Sequence, residues 1–304
     1  MVRNFIILLV IILGVNNSLK ATHLVGGSLR YEFIQSVDTD NNGFIDAVDY
    51  RIIMNYYYNC DGTANGVYQN ASFTDPRWMP GGSQYTIEVG LYAHDDPTTI
   101  YPQTATSYPK YGTELVLSLD TLDWVDLDNP SGCLTGNNIC IFLASYSAVT
   151  RLSVINPLNN QPVIGGYHVV HERCCRNSGI NNIQGAGGVG MTYYAYIPPV
   201  GYQNTSPEFI KEPLPFICVN DSTSALNSAI DVDGDQLVFS YVSPLDGNIN
   251  GPGNWQPNIY PNNYTLPIQT VPYSAGHSFQ NPFGTGGSYT VNSQNGLKNY
   301  YTSS

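Results

Sequence analysis

The stretch VDYRIIMNYYYN, residues 48–59, decides the fold class, because apolar and aromatic side chains recur at every second position. Successive side chains of a β-strand point to opposite sides, so such a repeat places one set of side chains on a single face. That face would carry Val48, Tyr50, Ile52, Met54 and Tyr56. The stretch therefore predicts a strand with one buried face.

The same alternation recurs along the chain. Further strand candidates, separated by proline- and glycine-rich stretches, are SLRYEFIQ, YTIEVGLYA, TELVLSLD, CIFLASYS, GGYHVVHE, MTYYAYI and QLVFSYV. A composition with 24 tyrosines, 29 glycines and 20 prolines disfavours long helices and favours short strands joined by turns. We therefore predict an all-β protein of the sandwich type.

Length and a proline-rich stretch divide the chain. The roughly 280 residues of a mature chain suit two β domains better than one. The linker candidate lies in the aperiodic, proline-rich stretch 197–215, and we assign it to residues 201–215. The prediction is a larger β-sandwich over residues 22–200 and a smaller β domain over residues 216–304. The smaller domain stops soon after a strand-and-turn pattern and is expected to be incomplete.

The first residues predict export. Arg3 precedes the apolar run FIILLVIILG, which is too short to span a bilayer, and SLKA ends at Ala21. We therefore predict a signal peptide over residues 1–21, with a retained membrane anchor as the alternative. No later apolar run approaches the roughly 20 residues of a transmembrane helix, so we expect no membrane span after cleavage.

The charge balance excludes two classes of partner. The formal net charge is -12, and removal of Arg3 and Lys20 would make it more negative by two. Nucleic acids and anionic membranes are bound by clusters of lysine and arginine, and the sequence contains no such cluster. We therefore expect neither partner.

The cysteines predict disulfides, because an exported chain is oxidised outside the cytoplasm. The six are Cys60, Cys133, Cys140, Cys174, Cys175 and Cys218. A bridge between the adjacent Cys174 and Cys175 would be strained, so each is expected to pair elsewhere. Cys133 and Cys140 flank a turn-rich segment and are predicted to pair with each other. Cys60 and Cys218 would then pair with the adjacent couple, in an order that the spacing does not assign.

The acidic stretch DTDNNGFIDAVD, residues 38–49, matches a calcium loop of the EF type. Such a loop of about twelve residues needs oxygen ligands at defined positions and a glycine for its sharp turn. The expected ligands are Asp38, Asp40, Asn42, the carbonyl of Phe44, Asp46 and Asp49, with Gly43 at the turn. The flanks are strand-like, which predicts that the loop joins a β-hairpin. The alternative is a solvated polar turn.

A second acidic run lies in AIDVDGDQLVFSYV, residues 229–242. Asp231, Asp233 and Asp235 surround Gly234 and lead into a strand candidate. Carboxylates at this spacing converge on a hard cation in some proteins and form an ordinary hairpin entrance in others. The run is a second, less specific calcium candidate.

None of the sequence motifs that suggest catalysis has the structural context that its chemistry requires. GAGGVG, residues 185–190, has the letters of a dinucleotide-binding loop but lacks the preceding strand and following helix. In HVVHE, residues 168–172, a strand would place His168 and His171 on opposite faces, where they cannot share a metal. No pair of acidic residues is singled out by the sequence as the two carboxyl groups of a glycosidase. We predict that the chain is not an enzyme.

Sugar binding is the alternative function. Exposed aromatic rings at a surface can stack on sugars, and the chain is rich in tyrosine. The candidate platform consists of Tyr56, Tyr57, Tyr58, Tyr193, Tyr194 and Trp255. In alternating strands the same residues are more often divided between core and rim.

Several segments together resemble a known family. They are THLVGGSLRYEF (22–33), ERCCRNSGINNI (172–183), NTSPEF (204–209), FICVN (216–220) and DVDGDQLVFSYVSPLDG (231–247). In this order they resemble the N-terminal module of large Bacteroidetes cell-surface proteins labelled as gliding-motility-associated or adhesin-like. CCRN and DxDGDxLxxS are the most specific pieces.

The resemblance implies immunoglobulin-like β modules in tandem, type IX secretion, and a location outside the cell or on the outer-membrane surface. It also implies a role in adhesion or cell-surface architecture, with an unknown surface, glycan or protein ligand and other modules of a larger assembly as partners. Family members usually have a short connection where this chain has DTDNNGFIDAVD. The calcium loop would therefore be a local elaboration.

Overall fold

The computed structural model describes residues 24–59, 76–96, 101–102, 104–125, 141–174, 176–211, 217–247 and 260–303. Predictions about the signal peptide, Cys60, Cys133, Cys140, Cys175 and Trp255 lie outside these residues. Across the described ranges, the structure contains no helix with the length and apolar character that crossing a membrane requires.

The prediction of an all-β fold is confirmed. The strands are β1 (Leu24–Val37), β2 (Ala47–Asn59), β3 (Thr86–Ala93), β4 (Thr106–Pro109), β5 (Leu115–Trp124), β6 (Ile141–Ser153), β7 (Tyr167–Arg173), β8 (Met191–Ile197), β9 (Glu208–Phe209), β10 (Ser222–Leu226), β11 (Ala229–Ile230), β12 (Asn263–Leu266), β13 (Ser288–Val291) and β14 (Leu297–Tyr301). The helical segments of the described chain are two short 3-10 turns, Ala186–Gly188 and Val200–Tyr202.

The largest sheet has seven antiparallel strands in the order β1-β2-β6-β5-β3-β7-β8. Strand β3 belongs to two layers, because its first half, 86–89, pairs with β5 and its second half, 90–93, pairs with β7. Gly90 marks the change of partner, and a Cβ there would lie 2.7 Å from the ring of Tyr260. The sheet folds over at this point, and β1 and β8 approach each other.

The main core lies between the layer that contains β2 and the layer of β7 and β8. The inward residues of β2 predicted from its alternation, Val48, Tyr50, Ile52, Met54 and Tyr56, are fully buried, and so is Tyr58. The ring centroid of Tyr56 lies 5.6 Å from that of His171 and 5.8 Å from that of Tyr193. Each buried side chain of this size contributes about 1.5–3 kcal/mol through removal of apolar surface from water.

A second cluster covers the opposite face of β7 and β8. Val170 of β7 packs in this cluster with Tyr92, Tyr108, Tyr260, Tyr264, Leu266 and Ile268. Strand β12 pairs with β4, which holds the C-terminal region against the larger sheet. Residues 260–271, which the sequence assigns to the smaller domain, thus contact the larger one. The exact domain boundaries stay predictions.

The predicted strand QLVFSYV, residues 236–242, has no place in a sheet ladder of the described residues. The segment keeps an alternating burial pattern, and the backbone N–H of Phe239 donates to the carbonyl of Ser293. Its outward residues Val238 and Val242 are each 75% exposed. Alternation predicts an extended chain with two different faces, and it carries no information about a hydrogen-bonded neighbour.

Candidate metal centre

The acidic loop forms the tip of the hairpin between β1 and β2. At its base the backbone N–H of Asp46 donates to the carbonyl of Val37 at 2.9 Å, and Val154 donates to the carbonyl of Asp46 at 2.9 Å. The turn itself uses positive φ angles, 57° at Asn41 and 89° at Gly43. Glycine and asparagine are the residues that adopt this region most readily, so the sequence NNG favours the observed turn.

Two carboxylates of the loop are held by hydrogen bonds from the loop itself. Asp38 accepts the backbone N–H of Gly43 at 2.8 Å and that of Asn42 at 3.2 Å. Asp46 accepts the hydroxyl of Thr39 at 2.6 Å and its backbone N–H at 2.8 Å. The bonds from Gly43 to Asp38 and from Thr39 to Asp46 lower the pKa of each carboxyl group. Both groups are therefore ionised at neutral pH.

Three carboxylates converge at this tip. One oxygen from each of Asp38, Asp40 and Asp46 lies within 4.8 Å of the others, and among the described residues they are the one such group of three acidic, histidine or cysteine side chains. Clustered anionic oxygens on a short surface loop match the preference of calcium for hard oxygen ligands. Three of the six predicted ligands are thus brought together.

Asp49, predicted to close the calcium loop, has a different role in the structure. It is 7% exposed and lies directly across the ladder from Arg151. Its two oxygens accept bonds from Nε and Nη2 of Arg151 at 2.7 and 3.0 Å, and Gln35 adds a third bond at 2.7 Å. The reason is register, since the twelfth loop position is already the third residue of β2, and its side chain meets β6.

The other two predicted ligands also make contacts within the loop. The side-chain oxygen of Asn42 accepts the backbone N–H of Phe44 at 2.8 Å. The side-chain amide of Asn42 donates to Asp40 at 2.9 Å. Asn42 therefore positions Asp40 in the structure.

The second acidic run does not form a converging group within the described chain. Asp231 accepts the backbone N–H groups of Asp233 and Asp235 at 2.9 and 3.2 Å, which closes the turn at Gly234. Asp233 accepts the backbone N–H of Thr205 at 2.6 Å and so ties the turn to the predicted linker. Hydrogen bonds from backbone N–H groups account for these two carboxylates.

His168 and His171 lie on opposite faces of β7, as the strand spacing predicts. His168 contacts His94 at 2.7 Å and Tyr194 at 2.8 Å, whereas His171 contacts Tyr56 and the carbonyl of Glu88. Burial lowers the pKa of His168 to about 3 and that of His171 to about 4. No local pattern in the sequence indicates His94, because its partner His168 lies 74 residues further along the chain.

The other motifs have structural roles. GAGGVG forms the 3-10 turn before β8, and its Ala186 and Val189 pack with Ile183 and Val271. In the tyrosine platform considered for sugar binding, Tyr56 and Tyr58 are fully buried in the core. Cys174 and Cys218 both take part in disulfides.

Asp49→Asn is expected to lower the free energy of unfolding by about 1–3 kcal/mol, because it removes the charged partner of Arg151 from a buried position. Urea denaturation in EGTA measures the effect. Asp120→Asn, an exposed change of the same kind on β5, should stay within about 0.5 kcal/mol of the parent. Calcium affinity should be the same in both variants as in the parent, and a large loss in Asp49→Asn would restore Asp49 as a ligand.

The candidate centre therefore consists of three carboxylates at a surface hairpin, backed by an ion pair at its base. Comparison of the chain with protein-family models, curated proteins and solved structures gives no significant match.

Proposed function

We propose that the chain is a non-catalytic, exported module of a cell-surface protein, stabilised by calcium, which serves adhesion or cell-surface architecture. The observation that carries the proposal is the convergence of Asp38, Asp40 and Asp46 at a hairpin tip. The proposal includes a location outside the cell or on the outer-membrane surface. It also includes the finer architecture of two immunoglobulin-like β-sandwiches in tandem.

Calcium suits this site for a physical reason. Asp38 follows the last residue of β1 and Asp46 precedes the first residue of β2, so one ion would tie together the two ends of the loop. Extracellular modules bind calcium with dissociation constants of about 10⁻⁴–10⁻³ M, which is sufficient at extracellular concentrations. Calcium at ten times its dissociation constant would add about 1.4 kcal/mol to the stability of the folded chain.

Contacts among the motif segments support the family part of the proposal. One group of contacts joins β1 to the segment NTSPEF. The backbone N–H of Tyr31 donates to the hydroxyl of Ser206, and that of Phe33 donates to the hydroxyl of Thr205. Thr205 in turn donates to Asp233. Segments RYEF, NTSPEF and DVDGD, far apart in the sequence, thus form one hydrogen-bonded network.

A second group of contacts joins Arg176 of CCRN, and Gly190 just before β8, to the end of the last motif. Nη2 of Arg176 donates to the carbonyl of Leu245 at 2.8 Å. The backbone N–H of Gly190 donates to the side chain of Asp246 at 2.7 Å. The motif residues therefore hold distant parts of the chain together, a role expected of a scaffold module.

A thermal melt in calcium and in EGTA tests the proposal. Calcium is expected to raise Tm by about 3–5 °C, which corresponds to the stabilisation expected for a chain of this size. The double change Asp38→Asn and Asp40→Asn should abolish the rise. The matched control, Asp231→Asn with Asp233→Asn, removes the same charge and should keep the rise. A calcium response that survives the first pair, or is absent from the parent, contradicts the proposed site.

A further inference from the structure

A cleft of about 320 Å³ lies on the outer face of β1 and β2, opposite the main core. Its floor is formed by side chains that alternate with the buried ones, Ser28, Arg30, Asn55 and Tyr57. Its far wall comes from the C-terminal half of the chain, with Phe209, Lys211, Asn227 and Lys298. A volume of this size lies at the lower end of the range for small-molecule sites.

The cleft gathers positive charge in an acidic protein. The whole chain has 11 lysines and arginines against 23 acids, yet Arg30, Lys211 and Lys298 all line this one cleft. Arg30 is paired with Glu32 at 2.5 Å and with Glu208 at 3.3 Å. Within the described ranges, Lys211 and Lys298 have no carboxylate at ion-pair distance. Two uncompensated ammonium groups thus face the same space, which favours an anionic ligand.

Lys298 is the more informative of the two lysines. It is half-buried on β14, with its Nζ 5.8 Å from the ring centroid of Tyr241. Burial lowers its pKa, because the charged form loses water and gains no carboxylate partner among the described residues. A carboxylate in the cleft would favour its charged form.

Glu208 also lines the cleft and is paired with Arg30, and the rest of the lining is neutral and suited to hydroxyl groups and ring faces. The side-chain oxygen of Asn55 and Nε of Arg30 are buried without a hydrogen-bond partner, and Ser28 and Asn227 add further polar groups. Phe209 is 54% exposed and supplies an apolar surface. Oriented polar groups beside an aromatic ring, together with cations, match a sugar ring that carries a carboxylate.

We propose that this cleft binds a carboxylate-bearing saccharide, an oligomer of uronic acid, with Lys211 and Lys298 at the carboxylates and Phe209 against a ring face. The inference rests on the proposed function, since it gives the adhesion module a class of ligand. It uses neither the calcium loop nor the buried tyrosines of the platform considered above.

An acidic peptide fits the cleft less well. Peptides that add to a sheet need a free strand edge with unpaired backbone groups. The floor of the cleft is a sheet face, where the backbones of β1 and β2 pair with each other. The other edge of β1 already receives Ser206, whose backbone N–H donates to the carbonyl of Tyr31 at 3.0 Å.

Calorimetric titration of the full chain with tetragalacturonate, in EGTA, tests the assignment. We expect the parent to bind tetragalacturonate. The dissociation constant should be at least tenfold larger for both Lys298→Gln and Lys211→Gln. Lys211 is exposed, so its replacement should fold even if that of Lys298 does not. Arg51→Gln makes the same charge change at an exposed position outside the cleft and should bind as the parent does.

Three results would overturn the assignment. They are absence of tetragalacturonate binding to the parent, binding by both lysine variants as tight as that of the parent, and binding of neutral maltotetraose as tight as that of tetragalacturonate. Binding of hexaglutamate with the same lysine dependence, but not of tetragalacturonate, would assign the cleft to acidic peptides instead. Because the titration contains no free calcium, failure here is distinguishable from failure of the calcium melt, and either can occur alone.

Discussion

Acidification from about pH 7.5 to about pH 5 is expected to lower the free energy of unfolding by about 4 kcal/mol. His168 and His171 are buried on the two faces of β7, with pKa values of about 3 and about 4. An unfolded histidine has a pKa of about 6.5, so between these values the unfolded chain binds protons that the folded chain does not. The stabilising contribution is therefore complete above about pH 6.5 and is lost as the pH falls. Each histidine accounts for about 2 kcal/mol at pH 5.

The neighbours of the two histidines offer little compensation for a proton. His168 faces His94, Tyr194 and Tyr108, and burial also lowers the pKa of His94. His171 faces the rings of Tyr56, Tyr193 and Tyr260, and the nearby Arg173 adds a positive charge that lowers its pKa further. Protonation of either ring would place an unbalanced charge in the core.

Urea denaturation at a series of pH values measures this effect. His171→Gln should reduce the change between pH 7.5 and 5 by about 2 kcal/mol, since it removes the contribution of this histidine. His277→Gln removes a histidine that is not buried and should keep the full change. A parent protein with the same stability at both pH values would show that the two histidines are not held neutral by burial. The carboxylates with lowered pKa, such as Asp49, stabilise the folded chain above about pH 4 and lose that contribution only below it, so they add little to the change between pH 7.5 and 5.

Period-two alternation was sufficient to predict the parts of the fold that depend on local pattern. It identified β2 and its buried face, because a fully buried row of side chains at every second position leaves a strong signal. It also placed the acidic loop in a hairpin between β1 and β2. The convergence of Asp38, Asp40 and Asp46 follows from loop spacing, which is local as well.

Interactions between distant parts of the chain could not be predicted in this way. Asp49 fits the last position of the loop motif, but its position in the ladder opposite Arg151 depends on which strand pairs with β2. The cleft is a further case, since Arg30, Lys211 and Lys298 meet only after the C-terminal half folds onto β1. The change of partner within β3 is also invisible to alternation, because both halves keep the same period.

Gly166→Ala is expected to destabilise the protein by about 3–5 kcal/mol. This is the sum of a backbone term, the strain of an alanine at positive φ, and a packing term, the steric contact of its Cβ with neighbouring atoms. Gly166 has a φ of +89°, and a Cβ there would lie 2.3 Å from the carbonyl oxygen of Ile197 at the end of β8. Its own carbonyl accepts the backbone N–H of His94 at 2.9 Å. Movement to relieve the contact would therefore displace His94 from His168.

Two further glycines separate the two terms when urea denaturation is carried out in EGTA. Gly43 has the same φ of +89° but open space around a Cβ, so Gly43→Ala should lose only the backbone term of about 1–3 kcal/mol. Gly201 has open space and no positive φ, so Gly201→Ala should change stability by less than about 1 kcal/mol. If Gly166→Ala cost no more than Gly43→Ala, the close approach of β8 to Gly166 would not be a constraint on the fold. A larger cost, with a loss of the near-UV circular dichroism of the tyrosine core, would show that this junction fixes the layer of β7 and β8 against β3.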